Sequence, residues 1–87
     1  MQHEEHHAEL LSKMGNRIRT LRKAQGLSQT KLAQKLGQNN PNTISIVENG
    51  KRMMSLRALL KIASVLGVPP GALLDGGNIT VTHRVNL

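Results

Sequence analysis

Apolar residues recur at helical spacing through most of this chain, and the pattern divides it into five helices. Residues three and four positions apart fall on one face of an α-helix, so each such run predicts a buried stripe. The first helix is predicted from about residue 5 to Gln25, where Gly26 ends it. Gly15 within it predicts a close crossing with another helix, because glycine is otherwise unfavourable there. The four shorter helices are predicted at residues 29–36, 41–48, 56–66 and 70–74.

The centre of this pattern is residues 28–50, SQTKLAQKLGQNNPNTISIVENG, which predict a helix, a turn and a second helix. Ser28 is a favourable N-cap for the first helix, and Gly37 can adopt the positive φ that ends it. Asn40 can cap the second helix, with Pro41 at its first position, where no N–H is required. The residues predicted to pack the two helices together are Leu32, Ala33, Leu36, Ile44 and Val47.

Charge is distributed unevenly along the chain, and its position points to a nucleic-acid partner. The formal net charge is +7. Between residues 10 and 74, Glu48 is the one acidic residue against eleven lysines and arginines, a formal charge of +10. Such a concentration of positive charge is typical of a domain that binds nucleic acid. A solvated basic surface and an acidic membrane are alternatives, but no helix has a basic face opposite a continuous apolar one.

Other classes of function have little support in the sequence. The chain has no Cys and no aromatic residue. It also has no paired-carboxylate cleft, no Ser-His-Asp set and no phosphate-cradling glycine loop, so we expect that the protein is not an enzyme. His3, His6 and His7 have a spacing that could hold a metal on a helix, but nothing completes the site, and we expect no metal or cofactor. Without a membrane-length apolar run or a signal peptide, we expect a cytoplasmic protein that does not bind membranes.

The segments SQTKLAQKLG and TISIVENGK resemble the helix-turn-helix of the lambdoid phage repressor and Cro family, also called the Xre family. With the flanking helices, the resemblance covers roughly residues 14–75 and implies a five-helix DNA-binding domain. The turn QNNPN has five residues where the family usually has four. The positions that carry the resemblance are Gln29, Ala33, Gly37, Ile44, Val47, Glu48 and Gly50.

The resemblance also implies an ion pair between Arg22 and Glu48. In the family, an arginine four positions before the glycine that ends the first helix pairs with a glutamate near the end of the recognition helix. Glu48 would otherwise stand alone in a strongly positive field. Two independently solvated side chains are the alternative.

The same resemblance implies which residues contact DNA. Phosphate contacts fix position, whereas base contacts determine specificity. The predicted base contacts lie in the first turns of the second helix, and asparagine there can bond adenine while threonine or isoleucine can touch a thymine methyl group. They are Asn40, Asn42, Thr43 and Ile46. The predicted phosphate contacts are Ser28, Gln29, Lys51, Arg52 and Arg17.

The ends of the chain differ from its centre. Residues 1–9 are predicted to be a polar extension or helix start, residues 10–75 the DNA-binding domain, and residues 76–87 a β-strand. The strand is predicted from the alternation of apolar Ile79, Val81, Val85 and Leu87 with polar residues. Since no second strand is predicted for it to pair with, we expect antiparallel pairing with a second copy, and a disordered tail is the alternative.

These features together predict a mainly α-helical repressor that binds a palindromic operator in double-stranded DNA as a homodimer. A different class of function is the antitoxin of a toxin–antitoxin pair, whose tail would bind the toxin protein. A controller of restriction–modification genes would be a subtype of the first.

Overall fold

Five α-helices make up the part of the chain that the computed structural model describes, residues 2–75. The predicted number and order of helices are therefore confirmed, and no strand occurs within these residues. The strand predicted at residues 76–87 lies outside them. No helix from residue 2 to residue 75 is long and apolar enough to span a membrane. The helices are α1 Gln2–Ala24, α2 Gln29–Lys35, α3 Asn42–Glu48, α4 Leu56–Leu66 and α5 Pro70–Asp75.

Side-chain caps begin two of the helices at the positions that the sequence predicts. The Ser28 Oγ accepts a hydrogen bond from the N–H of Lys31 at 2.9 Å, and α2 follows. The Ser55 Oγ accepts from the N–H of Ala58 at 3.1 Å, and α4 follows. These bonds satisfy first-turn N–H groups that have no partner within their own helix. In contrast, α1 begins at Gln2, earlier than predicted.

A single apolar core joins the helices, with α1 packed against α3 and α5, α2 against α3, and α4 against α5. The apolar spacing of α4 predicts a buried stripe of Leu59, Leu60, Ala63 and Leu66, but Ile62 is buried and Leu60 is 47% exposed. Successive residues are about 100° apart around a helix, so Leu60 lies on the flank of the stripe. The largest fully buried apolar side chains are Met14, Ile18, Leu32, Ile44, Leu66 and Leu73.

The helices α1 and α3 cross in close contact at Gly15. A Cβ atom at this position would lie 2.6 Å from the carbonyl oxygen of Glu48 and would also clash with that of Val47. Real Cβ atoms essentially never approach backbone oxygens so closely. The crossing therefore requires glycine, and it places the C-terminal half of α3 directly on α1.

We expect Gly15→Ala to destabilise the protein by about 1–3 kcal/mol, the usual cost of overpacking. Alanine is favoured over glycine in a helix by about 1 kcal/mol, but here α1 and α3 would have to separate. Asn16→Ala is the matched control, because Asn16 is exposed at the next position and should gain from the same helix preference. Urea unfolding measures both, and a Gly15→Ala protein as stable as the wild type would contradict the close crossing.

Candidate nucleic-acid interface

The turn between α2 and α3 is held by backbone hydrogen bonds and by one side chain. Gly37 has a φ of +82°, and the next N–H, that of Gln38, donates to the carbonyl of Ala33 at 2.9 Å. This pattern ends α2 and turns the chain sharply towards α3. At the other end of the turn, the Asn40 Oδ1 accepts from the N–H of Asn42 at 3.0 Å.

The start of α3 differs slightly from the prediction. Pro41 is the residue before the helix, with a φ of −87°, and not its first helical residue. The Asn40 side chain still satisfies a first-turn N–H, as a cap does, from one residue further back. One of the two lone pairs of Oδ1 is used in this way, which leaves the amide NH₂ and the other lone pair for a base.

The structure places the four predicted base-contacting residues on the exposed side of the helix-turn-helix, although not equally. Asn40, Asn42 and Thr43 are exposed, at the turn and in the first turn of α3. Ile46 is half-buried one turn later, so only part of its side chain is accessible. The first turn of α3 therefore presents an amide and a hydroxyl group to solvent, and both can bond base edges in a major groove.

One buried carboxylate joins α1, α2 and α3. Glu48 is only 2% exposed and Arg22 only 6%. The Arg22 Nε donates to the Glu48 Oε2 at 2.6 Å and its Nη2 donates to Oε1 at 3.0 Å, so the pair is bidentate. The Gln29 Nε2 donates to the same Oε1 at 2.9 Å, and the Arg22 Nη1 donates to the carbonyl of Leu27 at 2.8 Å. The sequence-predicted partners Arg22 and Glu48 thus lie together in a wider network.

Arg19 extends this network to the end of α3, and this role was not predicted from the sequence. Its Nε lies 3.5 Å from the Glu48 Oε1, and its Nη2 donates to the Asn49 Oδ1 at 2.9 Å. Arg19 precedes Arg22 by three residues and so shares its face of α1. That spacing is the feature of the sequence from which the contact could have been predicted.

The Glu48 carboxyl group keeps its charge in spite of its burial. Burial alone would raise its pKa, but hydrogen bonds from Arg22 and Gln29, together with the charge of Arg22, outweigh that effect. The pKa of Glu48 is therefore below its ordinary value. An ionised, bidentate partner fixes the direction of the Arg22 side chain, and with it the position of α3 relative to α1 and α2.

Besides Ser28, whose Oγ caps α2, two of the predicted phosphate contacts have hydrogen-bond partners within the protein. The Gln29 side chain is half-buried and donates to Glu48, so at least one of its amide hydrogens is directed inward. Arg17 lies on the side of α1 that packs against α5, and its Nη1 donates to the carbonyl groups of Leu73 and Leu74. A cation at the C-terminal end of a helix is favourable, so we assign Arg17 to holding α5 against α1.

The other predicted phosphate contacts are exposed before α2 and after α3. Ser28 precedes α2, and Lys51 and Arg52 follow α3. Gly50 ends α3 with a φ of +73°, and a Cβ atom there would lie 3.0 Å from the Cα of Ser12. Contact with α1 therefore fixes the point at which the chain leaves α3 and continues to Lys51 and Arg52.

A model of the HTH_3 family, described as helix-turn-helix, matches residues 18–73, which include the whole Glu48 network. The restriction-modification controller protein C.AhdI from Aeromonas hydrophila is similar with a TM-score of 0.71 and 42% identity, covering 77% of this chain and 96% of that one.

An HTH_3 family transcriptional regulator from Vibrio cholerae is similar with a TM-score of 0.73 and 25% identity. The match covers 92% of this chain and 44% of the regulator, so this chain spans less than half the length of that protein. Among curated proteins, none matches the sequence.

Proposed function

The chain belongs to the HTH_3 family of helix-turn-helix DNA-binding regulators, and on this premise we propose that it is a transcriptional repressor. It binds a palindromic operator as a homodimer, with the first turn of α3 in the major groove. The observation that carries the proposal is the contrast between the two ends of α3. Asn42 and Thr43 are exposed at its start, whereas Glu48 is bonded to α1 and α2 at its end. A helix that contacts bases must be held rigidly by the rest of its domain, as α3 is held here through Glu48.

Positive charge on either side of α3 supports the same proposal. Lys51 and Arg52 are exposed after the helix, and the N–H groups of the first turn of α2 lie beside Ser28. Lysine, arginine and helix N-termini are the groups that bind phosphate oxygens in protein–DNA complexes. In our proposal these groups fix the position of the domain on the duplex, and Asn40, Asn42, Thr43 and Ile46 read the bases.

A homodimer is part of the proposal because one α3 reads only half a site. Two half-sites about 10 base pairs apart present the same face of the major groove, and a two-fold protein matches a palindromic sequence. Binding both half-sites with one dimer multiplies the affinity through effective concentration. We include residues 76–87, with Ile79, Val81, Val85 and Leu87, as a strand that reinforces this dimer.

Control of restriction–modification genes is a second candidate function. The observation that favours it is the 42% identity to a restriction-modification controller protein, over 77% of this chain. Under this candidate, the operator would lie beside genes for a restriction enzyme and its methyltransferase. The position of the selected sites in the source genome separates a restriction–modification controller from a repressor of other genes. A different protein that co-purifies stoichiometrically would favour the antitoxin function.

Selection of duplex DNA from a random pool with the purified full-length protein tests the main proposal. The expected result is enrichment of a two-fold symmetric sequence with half-sites about 10 base pairs apart. Enrichment of an asymmetric single site would contradict the homodimer but not the family function. Retention of DNA without enrichment of any sequence would contradict sequence-specific regulation.

Substitution of Asn42 and Lys51 should separate base reading from phosphate binding. We expect Asn42→Ala to cost roughly 1–3 kcal/mol on the selected site and to relax specificity at one base pair per half-site. Lys51→Ala is the matched comparison, because the loss of a phosphate contact should weaken binding to all sequences alike. Binding titrations over a set of single base substitutions measure both. An equal loss on every sequence for Asn42→Ala would make Asn42 a turn residue and not a reader.

A further inference from the structure

A cleft of about 150 Å³, partly open to solvent, lies between the recognition helix α3 and the start of α4. Among the described helices, α3 packs against α1 and α2 whereas α4 packs against α5, and the cleft separates these two groups. An apolar cavity of about this volume is large enough to hold a benzene ring. The apolar residues that line the α3–α4 cleft are Leu36, Ile44, Val47, Met54, Ala58 and Ile62.

Two cations stand at the rim of this cleft. Arg57 and Lys61 line it, are exposed and lie four residues apart on one face of α4. Neither forms an ion pair with any residue between 8 and 74, and the described lining of the cleft contains no acidic residue. The N-terminus of α4, beside Ser55, adds partial positive charge. An apolar cleft with a positive rim is complementary to an anion that has a small apolar body.

We propose that the α3–α4 cleft binds a small organic monocarboxylate. Its apolar body, about the size of a benzene ring, fills the cleft, and its carboxylate binds Arg57 and Lys61 at the rim. Transfer of the ring from water to the apolar lining favours binding, and a guanidinium group bonds a carboxylate in bidentate fashion. A sugar or another polar ligand of this size is excluded, because its polar atoms would lack partners among the apolar side chains.

The bound carboxylate acts as an inducer, a ligand that releases the protein from its operator, and this part of the inference rests on the proposed function. Thr43, Ile44 and Val47 line the cleft and belong to α3, and Thr43 is one of the proposed base contacts. A ligand in the cleft therefore brings negative charge to the side of α3 that approaches the DNA phosphates. Carboxylate and operator each weaken the binding of the other by the same factor, as linkage requires.

Titration of the full chain with sodium benzoate in the absence of DNA tests the site. Amide chemical shifts are followed by NMR while sodium chloride is exchanged for sodium benzoate, so that ionic strength stays constant. We expect saturable shifts centred on residues 43–47 and 54–62, with a Kd of about 1 mM or lower for a ligand of this size. Benzyl alcohol has the ring without the charge, and acetate has the charge without the ring. Each should bind at least about 10-fold more weakly.

Two double variants distinguish a local site from general attraction to a basic protein. Arg57→Gln with Lys61→Gln should weaken benzoate binding by at least about 10-fold, because both charged partners of the carboxylate are lost. Lys23→Gln with Lys31→Gln is the matched control, since it removes the same charge from exposed positions outside the cleft and should bind benzoate like the wild type. Ala58→Leu should also prevent binding, because it fills the cleft with a residue that a helix accepts well.

The site is overturned if the benzoate shifts do not saturate, if they centre on other residues, or if the two double variants lose binding equally. Without saturation, cover of the cleft by another part of the protein becomes the better account. Binding of benzyl alcohol as tight as that of benzoate would overturn an anionic ligand.

Operator titrations test the inducer. Saturating benzoate should lower the affinity for the selected operator by about 5-fold or more, relative to the same concentration of sodium chloride. The Arg57→Gln with Lys61→Gln variant should not respond. An unchanged operator affinity of the wild type would overturn the inducer. Because the NMR titration uses no DNA, a failure to select an operator sinks the proposed function alone, and a failure to bind benzoate sinks the cleft alone.

Discussion

Replacing Glu48 with alanine should lower the free energy of unfolding by about 3–5 kcal/mol, the cost of breaking a buried ion pair by removing one partner. Arg22, which is 6% exposed in the wild type, would keep only the carbonyl of Leu27 among its described hydrogen-bond acceptors. Arg19 and Gln29 would lose the same acceptor. Denaturant unfolding at neutral pH measures the loss. Weaker DNA binding should accompany it, since α3 is no longer fixed to α1 and α2.

Two comparisons show whether burial is the cause of this loss. Glu9→Ala removes a carboxylate that is 65% exposed and lies 4.0 Å from Lys13, and surface pairs of this kind contribute only about 0–0.5 kcal/mol. The double substitution Arg22→Met with Glu48→Leu should recover part of the loss, because it leaves no unpaired charge. Additive effects of the two single changes would mean that the side chains do not interact and would contradict the network.

The same pair gives this stability a defined pH dependence. The pKa of Glu48 is lowered in the folded protein, since the hydrogen bonds and charge described above outweigh burial. A lowered folded-state pKa contributes stability that is fully present above the unfolded-state value and is lost as the pH falls through the folded-state value. The difference between wild type and Glu48→Gln should therefore be largest at neutral pH and shrink in acid. A difference that grows in acid would reverse the sign and contradict the lowered pKa.

The structural features that were predicted well from the sequence are local ones, such as helix caps and turns. Ser28 caps its helix and Gly37 takes a positive φ, as predicted, because a cap or a turn depends on a few neighbouring residues. The buried face of α4 was less predictable. The sequence LRALLKIASVL has apolar residues on more than one face, and packing against the rest of the domain decides that Ile62 is buried and Leu60 exposed.

Long side chains were the least predictable part of the candidate site. Arg17 and Arg19 are both basic residues of α1, two positions apart, yet one bonds to the end of α5 and the other to the end of α3. Their partners are 56 or 57 and 30 residues away along the chain, so only the packing of the helices determines them. For Arg22 and Glu48, a family resemblance supplied the prediction that local spacing could not. Gln29, which was predicted to contact a phosphate, also donates to the Glu48 carboxylate.

The affinity for duplex DNA should fall by about 10³- to 10⁵-fold between about 50 and 200 mM salt, for about 6 to 10 phosphates contacted per dimer. Each lysine or arginine that neutralises a phosphate releases a bound counterion, and added salt opposes that release. The formal charge of +10 on residues 10–74 of each subunit is large enough for this number of phosphate contacts. Titrations of the selected operator at several salt concentrations measure the slope, and a flat response would contradict phosphate binding as the main source of affinity.

Single substitutions assign that slope to particular residues. Lys51→Gln should reduce its magnitude by about 1 for each subunit, because one phosphate contact is lost from each. Arg17→Gln removes the same charge but should leave the slope nearly unchanged, since its guanidinium group is bonded to the carbonyls of Leu73 and Leu74 at the end of α5. Both variants must be compared at a temperature where each is fully folded, because Arg17 also holds α5. Equal reductions for the two would show that the slope reflects net charge alone, and the assignment of Lys51 to the DNA backbone and Arg17 to the helix packing would then fail.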